Sequence, residues 1–103
     1  MRINITARRF RLSEKIKKHT ENEISRLKKY FDGILEADVI LSWEKKDRIA
    51  EINIQVYGTV LSAHERSENM IKSIDLAVEK MERQIKKYKS RLKEHKHEKA
   101  GAQ

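Results

Sequence analysis

The sequence predicts an α+β domain of the order β-α-β-β-β-α, a two-layer sandwich with both helices on one face of a four-stranded mixed sheet. Apolar residues recur at every second position in four short segments and at every third or fourth position in two longer ones. These are the repeats of strands and helices. Each helical segment has a single apolar stripe, so both helices are expected to cover the same sheet face. A chain of 103 residues suits one such core.

The first strand and the first helix are predicted near the N-terminus. Ile3 and Ile5 alternate with polar residues, as in a half-buried strand. A helix is then predicted over 13–32, in which Ser13 caps the first turn and the apolar stripe consists of Ile16, Thr20, Ile24, Leu27 and Phe31. Gly33 is expected to take the left-handed conformation that ends many helices.

Three strands are predicted in the centre of the chain. Their inward-facing residues are Ala37, Val39, Leu41 and Trp43, then Ala50, Ile52, Ile54 and Val56, then Leu61 and Ala63. A polar turn at 45–48 and Gly58 separate them, and the fourth strand is expected to end near Glu65. A right-handed crossover makes the first two strands parallel, and the two hairpins extend the sheet antiparallel. The outward face is polar and is expected to stay in contact with water.

The last helix has the longest apolar stripe and is predicted over about 69–95. The residues of this stripe are Met70, Ile74, Ala77, Val78, Met81, Ile85, Tyr88 and Leu92. Residues 96–103 are polar and show no period, so we expect a flexible tail after a single domain over 1–95.

The composition favours an acidic partner. Lys and Arg number 24 against 16 Asp and Glu, a net charge of +8, and nucleic acid is the commonest partner of so basic a domain. An anionic membrane surface and charge that serves solubility alone are the alternatives. There is no cysteine, hence no disulfide and no thiolate metal site. With neither a signal-peptide pattern nor an apolar run long enough to span a bilayer, the protein is expected to be cytoplasmic.

No pattern of residues indicates an active site. His95 and His97 stand two positions apart near a helix end, which does not place both on one helical face. Glu65 and Glu68 are expected to be solvated rather than to form an acid–base pair. Neither a glycine-rich phosphate loop nor a Ser/His/Asp set is present. We therefore expect no enzyme, no cofactor and no small-molecule substrate.

The cations of the last helix are the candidate binding residues. Lys80, Arg83, Lys87 and Arg91 line one flank of the apolar stripe, and Lys86 and Lys89 lie on the other. At spacings of three and four residues, their side chains stand roughly 5–6 Å apart, close to the phosphate spacing of a nucleic-acid strand. Arg26 of the first helix is expected to line a groove with them. The aromatic residues fall at core-facing positions, which favours recognition of folded RNA over stacking on single strands. A solvated helix face is the alternative.

Three segments carry a resemblance to a known family. Residues 63–75 follow the pattern A-x-E-x-x-x-D-M-Y-x-A-I-D, residues 79–89 the pattern D-K-L-x-R-Q-I-x-K-x-K, and residues 26–31 the pattern K-L-x-R-Y-F. The chain thus resembles, over about 1–95, the ribosome hibernation-promoting factors, which include the stationary-phase ribosome-associated inhibitors. Asn69, Ile71 and Ser73 depart from the pattern, but Asn also caps helices well.

The resemblance implies a function and a set of site residues. It implies binding in the decoding channel of the small ribosomal subunit, against its rRNA and in competition with mRNA and tRNA, so that translation is inhibited and idle ribosomes are preserved. Lys80, Arg83, Lys86, Lys87 and Lys89 stand at the family's basic helix positions, and Arg26 at its first-helix lysine. The family has a short form and a long form with a further domain that pairs ribosomes, and the sequence does not choose between them. A general RNA-binding or RNA-chaperone module is the second hypothesis, and a membrane or adaptor role is a weaker third.

Overall fold

The computed structural model describes the backbone of residues 1–101 and the side chains of residues 1–92. Its elements follow the predicted order: β1 (Arg2–Arg8), α1 (Glu14–Leu27), β2 (Glu36–Glu44), β3 (Asp47–Val56), β4 (Thr59–Ser67) and α2 (Met70–Gly101). The sheet order is β1-β2-β3-β4, with β1 parallel to β2 and the other neighbours antiparallel. The predicted mixed sheet and its strand directions are confirmed.

One hydrophobic core lies between the helices and one face of the sheet. α1 contributes Ile24 and Leu27, α2 contributes Met81 and Ile85 among others, and the strands contribute alternate residues: Ala37, Val39, Leu41, Ala50, Ile52, Ile54, Val56 and Ala63. Both helices therefore share one sheet face, as predicted. The opposite face is polar, with side-chain hydrogen bonds from Asn4 to Asp38 (2.9 Å) and from Ser62 to Asn53 (2.7 Å).

α1 begins as predicted and ends early. The Ser13 hydroxyl accepts a hydrogen bond from the Ile16 N–H (3.2 Å), which caps the first turn. The helix ends at Leu27 rather than at Asp32, because the next residues bond three positions back, as in Tyr30 N–H to Leu27 carbonyl (3.0 Å). This tighter turn lets Phe31 leave the helix and pack edge-on against Tyr88, with ring centroids 5.5 Å apart.

Gly33 is required for a reason other than the predicted one. Its backbone is not left-handed, so it does not end the helix in the expected way. A Cβ atom at this position would overlap the ring of Phe31, with Cε2 at 2.6 Å. Glycine is therefore needed here for the close approach of an aromatic ring.

The first hairpin is tighter than the sequence predicted. Glu44 pairs with Asp47, so the first turn consists of Lys45 and Lys46 alone, and Asp47 and Arg48 of the predicted turn belong to β3. The second turn contains Gly58 with φ 84°, as expected for a residue in a tight hairpin. β4 continues to Ser67, past the end predicted near Glu65.

α2 begins where predicted and is longer than predicted. The side-chain oxygen of Asn69 accepts a hydrogen bond from the Lys72 N–H (3.1 Å), so Asn caps this helix as expected. The helix extends to Gly101, past the predicted end near His95. The predicted flexibility of 96–103 concerns residues whose side chains lie outside the described part of the chain, and it stays a prediction.

Two residues predicted to face the core lie at its margin. Trp43 is 41% exposed. On the helix-facing side of the sheet, the last buried pair is Leu41 and Ala50, and Trp43 pairs with Arg48 one step nearer the turn. Leu92, the last residue of the predicted stripe, is 44% exposed. Among the predicted core aromatics, Phe31 and Tyr88 are partly buried against the core.

Candidate nucleic-acid interface

The burial of α2 against the sheet and against α1 divides its cations into two sets. Its apolar stripe is fully buried at Ile74, Met81 and Ile85, so the residues on either side of the stripe meet different neighbours. We call Lys80, Arg83, Lys87 and Arg91 the β4 flank, and Lys86 and Lys89 the α1 flank.

The β4 flank is largely unpaired. Lys80 lies 3.8 Å from Glu65, a long and solvent-exposed contact that contributes little. Arg83, Lys87 and Arg91 are exposed and form no salt bridge with any residue whose side chain is described. Three uncompensated cations thus follow one line over more than two helical turns.

A groove with fixed walls runs beside this flank. Lys87 and Arg91 line an open depression of about 350 Å³ together with Thr59, Leu61, Gln84 and Tyr88. Gln84 donates a hydrogen bond to the Ser62 carbonyl, and Tyr88 donates one to the Tyr57 carbonyl (3.2 Å). These bonds join α2 to the edge strand β4 and to the turn before it, so the part of the helix that carries Lys87 and Arg91 is held in place.

The α1 flank, by contrast, is engaged with the end of α1. The Lys89 ammonium donates a hydrogen bond to the Tyr30 carbonyl (2.6 Å), which the early end of α1 leaves without a helical partner. The Lys86 ammonium lies over the Tyr30 ring, 5.2 Å from its centroid. Hydrogen bonding to Glu82 and the negative charge of Glu82 raise the pKa of Tyr30, and the positive charge of Arg26 partly offsets them.

Arg26 lies near enough to Tyr30 for its charge to act on the hydroxyl, and it has its own partner. The predicted groove between Arg26 and the cations of α2 stays a prediction. Its guanidinium forms a salt bridge with Glu23 (3.1 Å) and remains 53% exposed. Arg26, Lys86 and Lys89 are thus brought together around Tyr30. The sequence reasoning missed Tyr30 because the residue lies at the end of the predicted apolar stripe and 59 positions from Lys89.

The described residues offer no metal centre and no membrane span. Among them, no group of three His, Asp or Glu side chains is placed to hold a metal ion. The side chains of His95 and His97 lie outside the described part. Of the two carboxylates that were expected to be solvated, Glu65 lies 3.8 Å from Lys80. No helix in the part of the chain searched is long and apolar enough to cross a bilayer.

The fold is shared with proteins of known structure. A ribosomal subunit interface protein from Coxiella burnetii superposes with a TM-score of 0.83 at 29% identity, covering 87% of this chain and 99% of that one. The N-terminal domain of Thermus thermophilus Protein Y gives a TM-score of 0.78 at 31% identity, covering 85% of this chain and 99% of that one.

Relatives by sequence have a consistent description. The chain is 30% identical over 95 residues to the ribosome hibernation promoting factor of Klebsiella oxytoca, covering 92% of this chain and 100% of that protein. It is 33% identical over 95 residues to the ribosome hibernation promotion factor of Bacillus subtilis, of which the alignment covers 50%, against 89% of this chain. The family profile described as Sigma 54 modulation protein / S30EA ribosomal protein matches residues 3–93. The chain therefore belongs to this family.

Proposed function

We propose that this protein is a cytoplasmic ribosome hibernation factor. It binds the rRNA of the small ribosomal subunit in the decoding channel, excludes mRNA and tRNA, inhibits translation and preserves idle ribosomes in stationary phase and under stress. The names of its relatives support a hibernation role, and the sequence pattern of residues 63–89 supports the channel as the place of binding.

The exposed line of Arg83, Lys87 and Arg91 is the observation that carries the proposal. These cations have no described salt-bridge partner and stand at about one helical turn from one another. A run of phosphates meets such a line with matched charge and spacing, and the release of counterions from the RNA favours the contact. Arg26 and Lys86, exposed on the other side of α2, extend the basic surface toward α1.

The mechanism needs no chemical step. Binding to rRNA phosphates holds the folded domain in the channel, and its volume excludes mRNA and tRNA from the same place. The protein competes for one site with mRNA and tRNA, so the ligand in excess occupies it at equilibrium, and a ligand that is bound first keeps the site for as long as it dissociates slowly.

An order-of-addition experiment tests this mechanism. The protein is added to a cell-free translation system before or after the ribosomes are loaded with mRNA and initiator tRNA. We expect strong inhibition of initiation in the first order and protection in the second. Stable binding of the protein and P-site tRNA to one small subunit at the same time contradicts steric exclusion.

The same experiment separates the proposal from a general RNA-binding or RNA-chaperone role. A protein that coats RNA shows no dependence on the order of addition, and an excess of unrelated structured RNA relieves its inhibition. A ribosome-specific factor keeps its inhibition in that excess and co-sediments with purified small subunits.

A further inference from the structure

We propose a second RNA-phosphate-binding surface at the end of the sheet that carries the β2–β3 turn, remote from Lys87 and Arg91 of α2. This turn-end patch consists of Arg8, Arg9, Arg11, Lys45, Lys46 and Arg66. The inference rests on the proposed function: it holds that the domain contacts two separate segments of small-subunit rRNA, one with the β4 flank and one with this patch.

The strand register assembles the patch from distant parts of the sequence. Arg8 pairs with Ser42, Ser42 with Ile49, and Ile49 with Arg66, so the two arginines end one row across the open sheet face. Beside this row, Arg9, Lys45 and Arg66 line an open depression of about 380 Å³ together with Glu44 and Asp47. Cations from the residue after β1, from the turn and from β4 therefore border one depression.

Most of the charge of the patch has no salt-bridge partner among the described side chains. All six of its cations are exposed. Arg66 forms a salt bridge with Asp47 (3.0 Å). The other five form no salt bridge with a residue whose side chain is described. Arg9 and Lys45 line the depression, and Arg8, Arg11 and Lys46 adjoin them in the chain. Even with Glu44 in the same lining, these five cations leave the surface positive, which suits the phosphates of RNA, the partner already expected of this protein.

The backbone that presents these cations is held in an unfavourable conformation. Arg9 has φ 70° and Lys45 has φ 55°, in the left-handed region that residues with a Cβ rarely adopt. Such conformations persist where surrounding contacts enforce them, and they concentrate at binding sites. Both lie in the patch, which indicates that its geometry is fixed before a partner arrives.

A stack around Trp43 supplies the enforcing contacts. The Phe10 ring stacks on Trp43 at 5.1 Å between centroids and 3° between planes, which ties down the residue after Arg9. The Arg48 guanidinium lies 4.1 Å from the centroid of the same ring. It also donates hydrogen bonds to the carbonyls of Lys45 (3.1 Å) and Asp47 (3.3 Å). Arg48 is therefore a positioning residue that holds the turn.

The turn-end patch and the groove of Lys87 and Arg91 are too far apart to share the same phosphates. Thr59, at the start of β4, borders the groove of Lys87 and Arg91, whereas Arg66 is near the other end of the same strand. Seven residues of strand separate the two positions by about 23 Å. Glu51 lies between them on the open sheet face, where it pairs with His64, so the positive surface is interrupted.

Charge removal in the full-length protein tests the patch. The triple variant Arg8→Gln, Arg11→Gln, Lys46→Gln loses three unpaired cations without touching the stack. Its control, Lys15→Gln, Lys18→Gln, Lys72→Gln, makes the same change of net charge at exposed helix positions. Three phosphate contacts predict, at about 0.15 M salt, roughly 100-fold weaker binding to purified small subunits and a log–log salt slope shallower by about 2–3. Equal affinities of the two variants overturn the proposal.

Trp43 gives a local readout, because it is the protein's single tryptophan. We titrate the wild type and the helix control with purified small-subunit rRNA. In both proteins, we expect the fluorescence of Trp43 to change and its quenching by iodide to become weaker. Binding of rRNA without either change overturns the proposal. The proposal is also overturned if the triple variant loses affinity for the subunit but not for purified rRNA, because the partner of the patch is then a ribosomal protein. Failure of the proposed function gives a different result, because the wild type itself then shows no preference for small subunits over unrelated RNA.

Discussion

The two flanks of α2 carry the same kinds of residue and meet opposite surroundings. On the α1 flank, Lys89 is hydrogen-bonded to the Tyr30 carbonyl and Lys86 lies over the Tyr30 ring. On the β4 flank, Lys87 and Arg91 border an open groove and have no described salt-bridge partner. Neighbouring lysines of one helix thus serve different purposes, one joining two elements and the other remaining available.

The difference shows that net charge does not measure binding capacity. A cation that already interacts with the protein must give up that interaction before it binds a phosphate, whereas an exposed and unpaired one exchanges only water and counterions. We therefore expect the contribution of α2 to RNA affinity to depend mainly on the β4 flank, and the α1 flank to contribute to the docking of the two helices.

Among changes to α2, reversal of the charge of Lys87 and Arg91 to Glu is expected to have the largest effect. Loss of two phosphate contacts predicts about 20-fold weaker binding to small subunits at about 0.15 M salt, before any repulsion by the new carboxylates. The salt slope should become shallower by about 1.4–1.8. Co-sedimentation across a salt series measures both quantities.

The fold of this variant is the control. Neither residue lies in the buried stripe, so we expect the free energy of unfolding to change by no more than about 0.5 kcal/mol per site. Denaturant titration followed by circular dichroism checks this. Loss of the fold contradicts the assignment of the flank, and unchanged subunit affinity contradicts its role in binding.

The fold was predictable because the strand repeat and the helix repeat of apolar residues occupy separate segments of the chain. The errors occurred at the ends of elements. The helical spacing of apolar residues continues in the sequence to Phe31. The helix α1 ends at Leu27, and the ring of Phe31 packs against Tyr88 from outside it. Trp43 continues the inward row of β2, but it lies beyond the last buried rung. Periodicity indicates which face a residue is on, and tertiary contacts decide how far the face is covered.

The candidate site was predictable only in outline. A helical wheel separates the two sets of cations on α2, because burial of one stripe fixes both flanks. The partner of Lys89 lies 59 residues away, and no local pattern indicates it. The turn-end patch has one local signal, the three arginines among residues 8–11, but the pairing of β1 through β4 is needed to bring Arg66 beside them.

The substitution Lys89→Met sharpens the comparison through stability. It removes the hydrogen bond to the Tyr30 carbonyl and keeps most of the aliphatic chain, so we expect a loss of about 1 kcal/mol in the free energy of unfolding. Its matched partner, Lys87→Met, removes the same charge two residues earlier and should change stability by less than about 0.5 kcal/mol. Denaturant titrations of the two variants measure the difference. Equal stabilities show that the contact at Tyr30 contributes nothing.

The smallest expected effect concerns the acidity of Tyr30. Hydrogen bonding to Glu82 and its negative charge raise the pKa of Tyr30 above the ordinary value of 10.0, while Arg26 lowers it in part. The folded state therefore favours the protonated hydroxyl. Below the pKa of the unfolded chain both states keep the proton, and this contribution to stability is fully present. It is lost as the pH rises through the raised pKa of the folded protein, because the unfolded chain releases its proton first.

The substitution Glu82→Gln tests this contact, because it removes the charge and keeps a hydrogen-bond acceptor of the same size. The pKa of Tyr30 should fall toward its ordinary value, and the loss of stability above pH 10 should become smaller than in the wild type. Ultraviolet titration of tyrosinate measures the pKa, with Tyr30→Phe to identify which part of the signal belongs to Tyr30. A pKa that stays raised in Glu82→Gln shows that the charge of Glu82 is not its cause. A change in subunit affinity as large as that of the Lys87 and Arg91 reversal contradicts the division of α2 into a docking flank and a binding flank.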